Sequence, residues 1–284
     1  ETIWNQRRKK MSLINKKIFQ KFDGKLDRPM LPFSPSKMNS WRDKPAEFVI
    51  KYIYGYPFAG NCAMERGNAF QYGAEFLFTD GLELQDCIQK AEEYYDLQPE
   101  VIMADEEERN KQRKMISKMI TNCYDDLKKL SNLKYFYPND IADKRERHRI
   151  DTNIGGVPFY GYTDITLEND EEITLIELKS TARLEYRYGY KIQTAIYKKA
   201  LEETFKKKVN AIVMVVSPAN CKMFELEDEE TLMKEIEFNL ISCANIFQQC
   251  KSIDDFKSVI VPKLDDWWWN NEHIIKARSE IWGI

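Results

Sequence analysis

The chain has 284 residues, 43% of them apolar and 13% aromatic, enough to bury one large core or two modest ones. Its 43 basic and 46 acidic residues leave a formal net charge of −3, which taken alone points away from a nucleic-acid partner, since such proteins are usually basic. The longest apolar run, Ala211 to Val216, cannot span a bilayer, no signal peptide is visible, and six scattered cysteines without a CxxC pair read as reduced thiols in a cytoplasmic protein rather than a zinc site.

In chain order, the first 30 residues read as a basic arm or short helix carrying Arg7, Arg8, Lys9, Lys10, Lys16 and Lys17. Ser36 is a plausible N-cap for a helix from about Lys37, with Trp41, Phe48, Val49, Tyr52 and Ile53 on one face. Pro45 splits that pattern into two short helices. Helices are expected over Ala63 to Phe78, Leu84 to Asp96 and Asp105 to Leu130. The texture then changes near Tyr135. Arg147 to Asn153 reads as a strand, Gly155-Gly156 as a hairpin turn, and Val157 to Leu167 as a second strand. Asn169-Asp170 turns the chain into a strand over Ile173 to Lys179. A long helix over Tyr186 to Lys207 is expected next. It is followed by a fully apolar strand over Val209 to Ser217, an edge strand over Lys222 to Leu226 and a helix over Glu229 to Cys250. Trp267, Trp268 and Trp269 precede a last helical stretch to Ile281, and read as a pin for the C-terminal segment. The order gives an α/β (α+β) layered sheet preceded by a helical region.

The chemistry concentrates in Gly161-Tyr-Thr-Asp164-Ile165 and Leu175-Ile-Glu177-Leu-Lys179. Adjacent strands joined by a tight turn place Asp164 beside the second segment. Glu177 and Lys179 are two apart, so both point to one face, while Ile176 and Leu178 point to the other. Two carboxylates and a lysine on a buried face are costly without a partner. Such a pair can hold a hard divalent cation, and the lysine can orient or deprotonate a water or stabilise a transition state. The plainer alternative is a Glu/Lys alternation on a solvated strand. Four residues apart, Gln193 and Tyr197 share a helical face and can hydrogen-bond phosphate oxygens.

Four segments together resemble the PD-(D/E)xK nucleases, specifically their RecB-type branch. They are Leu31 to Ile53, Arg66-Gly67-Asn-Ala-Phe-Gln71, the Asp164 and Glu177-Leu-Lys179 pair, and Gln193-Thr-Ala-Ile-Tyr197. The resemblance covers roughly Leu31 to Ser217 and implies a restriction-endonuclease-like mixed sheet flanked by helices. It implies Asp164, Glu177 and Lys179 as the catalytic residues of a metal-dependent DNA nuclease, most simply an exonuclease of recombination, repair or phage DNA processing. A structure-specific endonuclease and a non-catalytic DNA-binding module on a degenerate nuclease fold are the alternatives. Mg²⁺ or Mn²⁺ would be held by Asp164, Glu177 and the Leu178 carbonyl.

Two departures matter. The branch has a metal-ligating histidine where Gln71 stands; the glutamine oxygen, or Glu75 one turn on, could substitute. The cysteine that begins an iron–sulfur cluster in some relatives is Lys44 here, so no cluster is expected. Gln193, Tyr197, Arg66 and Ser36 are candidate DNA contacts. The basic run Lys144 to Arg149 reads as a solvated face that could line a DNA channel, and His148 within it as structural. The expected organisation is a basic arm over residues 1–30 and a single nuclease domain over 31–284. That domain has a helical insertion at about 60–133 and a catalytic core at about 135–226. The expected setting is the cytoplasm (a host's, if the protein is viral), with DNA as partner, no membrane, and a homo-oligomer or recombination protein as a further partner. The net charge then reads as an average over regions of opposite sign.

Overall fold

The computed structural model describes residues 14–56, 60–99, 105–182, 184–262, 269 and 272–284. Arg7 to Lys10 and Trp267-Trp268 lie outside the described residues. The helices are α1 (Pro35–Asp43), α2 (Pro45–Phe48), α3 (Cys62–Thr79), α4 (Leu84–Asp96), α5 (Glu106–Lys128), α6 (Tyr188–Phe205), α7 (Glu229–Gln249), α8 (Asp255–Val259) and α9 (Glu272–Trp282). The strands are β1 (Lys134–Tyr135), β2 (Arg149–Ile154), β3 (Val157–Tyr162), β4 (Ile165–Glu168), β5 (Glu172–Ser180), β6 (Lys208–Val216) and β7 (Cys221–Glu225). No helix among the described residues is long and apolar enough to cross a membrane.

The chain divides into two compact units, residues 1–58, 151–161 and 230–284, and residues 59–150 and 162–229. The first is built on aromatic packing. Phe19, Phe22, Phe33, Phe247 and Phe256 are fully buried and meet edge-on or tilted at 4.9–6.2 Å between ring centroids. Trp269 is buried edge-on to Trp282. The cap of α1 is Ser34 rather than Ser36. Its hydroxyl accepts from the Lys37 N–H, because Pro35 takes the first helical position, where its missing N–H costs nothing. Lys44 breaks the pattern ahead of Pro45, giving the two short helices.

The second unit holds a five-stranded mixed sheet in the order β1-β4-β5-β6-β7. Only β5 and β6 are parallel, and α6 is the crossover between them. Ile176, Leu178, Met214 and Val216 join Phe70, Leu77, Ile88, Tyr95, Ile116, Met119 and Ile120 in one core, so α3, α4 and α5 cover one sheet face. Gly73 lets α3 and α4 close on each other: a Cβ there would fall 2.6 Å from the Ala91 Cβ and 2.7 Å from the Cys87 carbonyl. Lys206, at φ 56°, closes α6 after Phe205, two residues short of the expected end.

The continuous strand expected over Val157 to Leu167 is instead two strands. β3 pairs with β2 in a separate two-stranded sheet, and β4 joins the main one. The break falls at Thr163 and Asp164. The Thr163 N–H bonds to the His148 carbonyl, and the Asp164 side chain takes over the bonding of a neighbouring strand.

Candidate active site

The turn between β4 and β5 is fixed by Asn169, whose side chain accepts from the N–H groups of Glu171 and Glu172. That turn sets Ile165 opposite Ile176, which brings Asp164, one residue ahead of β4, beside Glu177 and Leu178. The Leu178 N–H donates to Asp164 Oδ2 at 2.7 Å. Lys179 Nζ lies 3.0 Å from Glu177 Oε2 and 3.6 Å from Asp164 Oδ2. From α6, Gln193 Nε2 donates to Glu177 Oε2 at 2.9 Å and to the Tyr197 hydroxyl at 3.2 Å. That hydroxyl also accepts from the Tyr162 N–H at 3.3 Å. The period-two alternation of β5 thus sends Ile176 and Leu178 into the helical core and Glu177 and Lys179 toward α6.

The electrostatics of this group are unbalanced. Glu177 is fully buried, and its Oε1 has no hydrogen-bond partner. Burial and the adjacent Asp164 charge push its carboxyl up to about 8, against the pull of Lys179. Burial likewise raises Asp164, opposed by Lys179 and the Leu178 N–H. Burial works to discharge Lys179, but Glu177 and Asp164 outweigh it and hold the ammonium above its ordinary value. Two carboxylates share one cation in a low-dielectric place, an arrangement that favours keeping a proton on Glu177.

Other residues of interest are distributed differently. Arg66 is enclosed within its own unit, bonding Gln112 Oε1 at 2.5 Å and Ser180 Oγ at 3.5 Å. Ser36 belongs to the first unit, where its hydroxyl pairs with that of Ser34 at 2.9 Å. Gln71 Nε2 donates to the Leu178 carbonyl at 3.2 Å. Glu75 is tied up: Tyr135 and Tyr137 donate to its Oε1 at 2.8 and 3.2 Å, and His148 Nε2 lies 3.3 Å away. Those bonds outweigh burial and hold Glu75 below the usual carboxylate range. Residues 75 and 148 are far apart in sequence, and no local spacing announces the pair.

Asp164 stands on the wall of a cleft of about 1270 Å³ whose lining also includes Gln71, Glu75, Tyr137, Lys144 and Arg147. The basic run therefore reaches the cleft, and the sequence signal for that was the charge run itself.

The sequence matches the model of the PD-(D/E)XK nuclease superfamily over residues 32–259. The chain belongs to that superfamily. Among solved structures, this PD-(D/E)XK chain resembles a protein from Eubacterium rectale classed provisionally as an exonuclease. The TM-score is 0.50 at 11% identity, over 91% of this chain and 97% of that one, a likeness of fold. SSO0001 aligns with 16% identity over 78% of this chain and 98% of that one, at a TM-score of 0.30 that carries no argument. No curated protein matches the sequence. Membership implies a DNA substrate and supports nuclease activity.

PD-(D/E)XK nucleases generally use divalent metal ions. Among the described residues no group of three or more His, Cys, Asp or Glu side chains is placed to hold one. The two carboxylates present do suit such an ion. Glu177 Oε1 is buried and unpartnered, and the two carboxylates offer oxygen donors of the kind hard cations take.

Proposed function

We propose that the chain is a metal-dependent DNA nuclease that hydrolyses phosphodiester bonds, acting as an exonuclease in DNA recombination, repair or phage DNA processing. The observation that carries the reading is the buried Asp164–Glu177–Lys179 group with its unpartnered Glu177 oxygen, on a strand beside an open cleft. Asp164, Glu177 and the Leu178 carbonyl would hold Mg²⁺ or Mn²⁺, with Gln71 beside that carbonyl. Such an ion supplies charge against the developing negative charge on phosphate and acidifies water.

The residues themselves do the rest. Lys179 is held charged, so its part is to donate: it orients the attacking water and meets the charge that grows on the phosphate oxygens. Gln193 fixes Glu177, and Tyr197 fixes Gln193. In this reading Gln193 and Tyr197 support the carboxylate rather than bind phosphate. The nuclease domain is residues 31–284, with a helical insertion over about 60–133 and a catalytic core over about 135–226.

An end-labelled digest of linear single-stranded, linear duplex and closed circular DNA, with Mg²⁺ and with Mn²⁺, tests the reading. Release of short products from linear DNA, with circles untouched, supports it. Cut circles remove the exonuclease assignment, and no cutting under any condition removes the nuclease.

A further inference from the structure

We propose that the cleft beside Asp164 is the track of one unpaired DNA strand, with Arg145 on its phosphates and Tyr72 and Tyr94 under its bases. The proposal rests on the nuclease reading and names the form of substrate that the site takes.

The cations of the cleft are few and gathered in one short segment, Lys144 to Arg147, with Lys134 nearby. Lys144 and Arg145 are exposed, and among the described residues neither side chain makes an ion pair or a hydrogen bond. The Arg145 guanidinium lies 4.7 Å over the Tyr162 ring, and that of Arg147 lies 5.1 Å over Tyr137. Arg147 spends its Nε on the Ile141 carbonyl, whereas the Arg145 guanidinium, with no hydrogen bond of its own among the described residues, keeps N–H groups that can grip phosphate in a fork. Arg145, Tyr162 and Asp164 all line this cleft, with Arg145 resting on the Tyr162 ring.

The wall formed by α3 and α4 has the opposite character. Tyr72 and Tyr94 are partly buried, Tyr94 packing against the helical core, their rings 4.8 Å apart and inclined by 32°, with Phe76 edge-on to Tyr72 at 5.0 Å. Asp80, at the end of α3, adds a carboxylate to this wall. A duplex offers two charged backbones and hides its base faces, so one backbone would meet cations and the other an aromatic wall that carries Asp80. A single strand has one backbone for the basic segment and exposed base faces for the rings. The cations that line this cleft sit on one rim, which suits one backbone better than two.

The test is binding without catalysis. A fluorescein-labelled 20-nucleotide oligo-dT and a blunt 20-base-pair duplex are titrated by anisotropy in EDTA, with circular dichroism melts confirming that each variant folds. Wild-type protein should bind the single strand at least tenfold more tightly than the duplex. Arg145→Ala should weaken single-strand binding about threefold to tenfold and flatten the plot of log affinity against log salt by about 0.7. Tyr72→Leu should weaken it about fivefold or more with the salt slope unchanged, and Tyr72→Phe should restore it.

Equal or tighter duplex binding by the wild type overturns the proposal whatever the variants do. So do folded Arg145→Ala and Tyr72→Leu proteins that bind as the wild type does. The nuclease reading fails separately, in the metal-dependent digest, because no metal is present in this assay.

Discussion

Glu75 and Glu177 lie in the same unit, both largely withdrawn from water, and their neighbours drive them in opposite directions. Glu75 receives two tyrosine hydroxyls and an imidazole on one oxygen and is held below the usual carboxylate range. Glu177 shares one lysine with Asp164, keeps an oxygen unpartnered, and is pushed up to about 8. The first is a finished structural contact between α3, the β1 segment and the segment leading into β2. The second is left incomplete by its own protein, as a group poised for something else is. Burial alone does not separate them; the balance of donors does.

The sharpest way to break this comparison is Lys179→Ala. Removing the one lysine that Asp164 and Glu177 share should lower cleavage by about 10³-fold or more, measured as end-label release, with the fold retained in a melt. Cleavage at the wild-type rate by the folded variant would end the catalytic reading. Next comes Glu75→Gln, which leaves hydroxyl and imidazole donors facing an uncharged amide and should cost about 1–2 kcal/mol in denaturant unfolding. The Glu75 carboxyl is lowered in the fold, so its contribution is present above the ordinary carboxylate range and lost as pH falls below that range through the lowered folded value.

Glu177→Gln should act with the opposite sign. Glu177 is raised in the fold, so its contribution is full below the ordinary carboxylate range and lost as pH rises through about 8. In EDTA at pH 8 the variant should melt a few degrees above wild type, a gain of about 1 kcal/mol, and lose the Mg²⁺-dependent rise in Tm. A variant that melts lower than wild type would place Glu177 with Glu75 as a structural carboxylate. The smallest effect is expected from Gln193→Ala, a fall in cleavage of about tenfold with Tm within a few degrees. Since the amide orients Glu177 without reaching substrate, kcat should fall and KM stay near its wild-type value.

Much of this was legible in the sequence, and the limits of legibility have physical causes. The two-residue spacing of Glu177 and Lys179 and the four-residue spacing of Gln193 and Tyr197 are local periodicities, and the structure sets all four residues in one group with Asp164. What Gln193 touches was not legible, because its partner comes from another element; the amide faces Glu177. The pairing of Glu75 with His148 and the enclosure of Arg66 by Gln112 and Ser180 were hidden for the same reason. The division of Val157 to Leu167 into two strands escaped because a single Asp164 after the β-branched Thr163 is only a weak break in an otherwise strand-like run. The break is completed by bonds to His148 and Leu178, which come from other elements. At α1, Ser34 and Ser36 are equivalent as caps on composition, and Pro35 decides between them.

The bond from the Leu178 N–H to Asp164 Oδ2 has a consequence for how this protein should be disarmed. It is a fastener as well as part of a charged group, clipping the chain to β5 at the point where it passes from one sheet to the next. Asparagine keeps an oxygen in the clip and removes only the charge, whereas alanine undoes both. An inactive protein for trapping substrate is therefore better made as Asp164→Asn than as Asp164→Ala. The difference in melting temperature between those two proteins measures the clip apart from the chemistry.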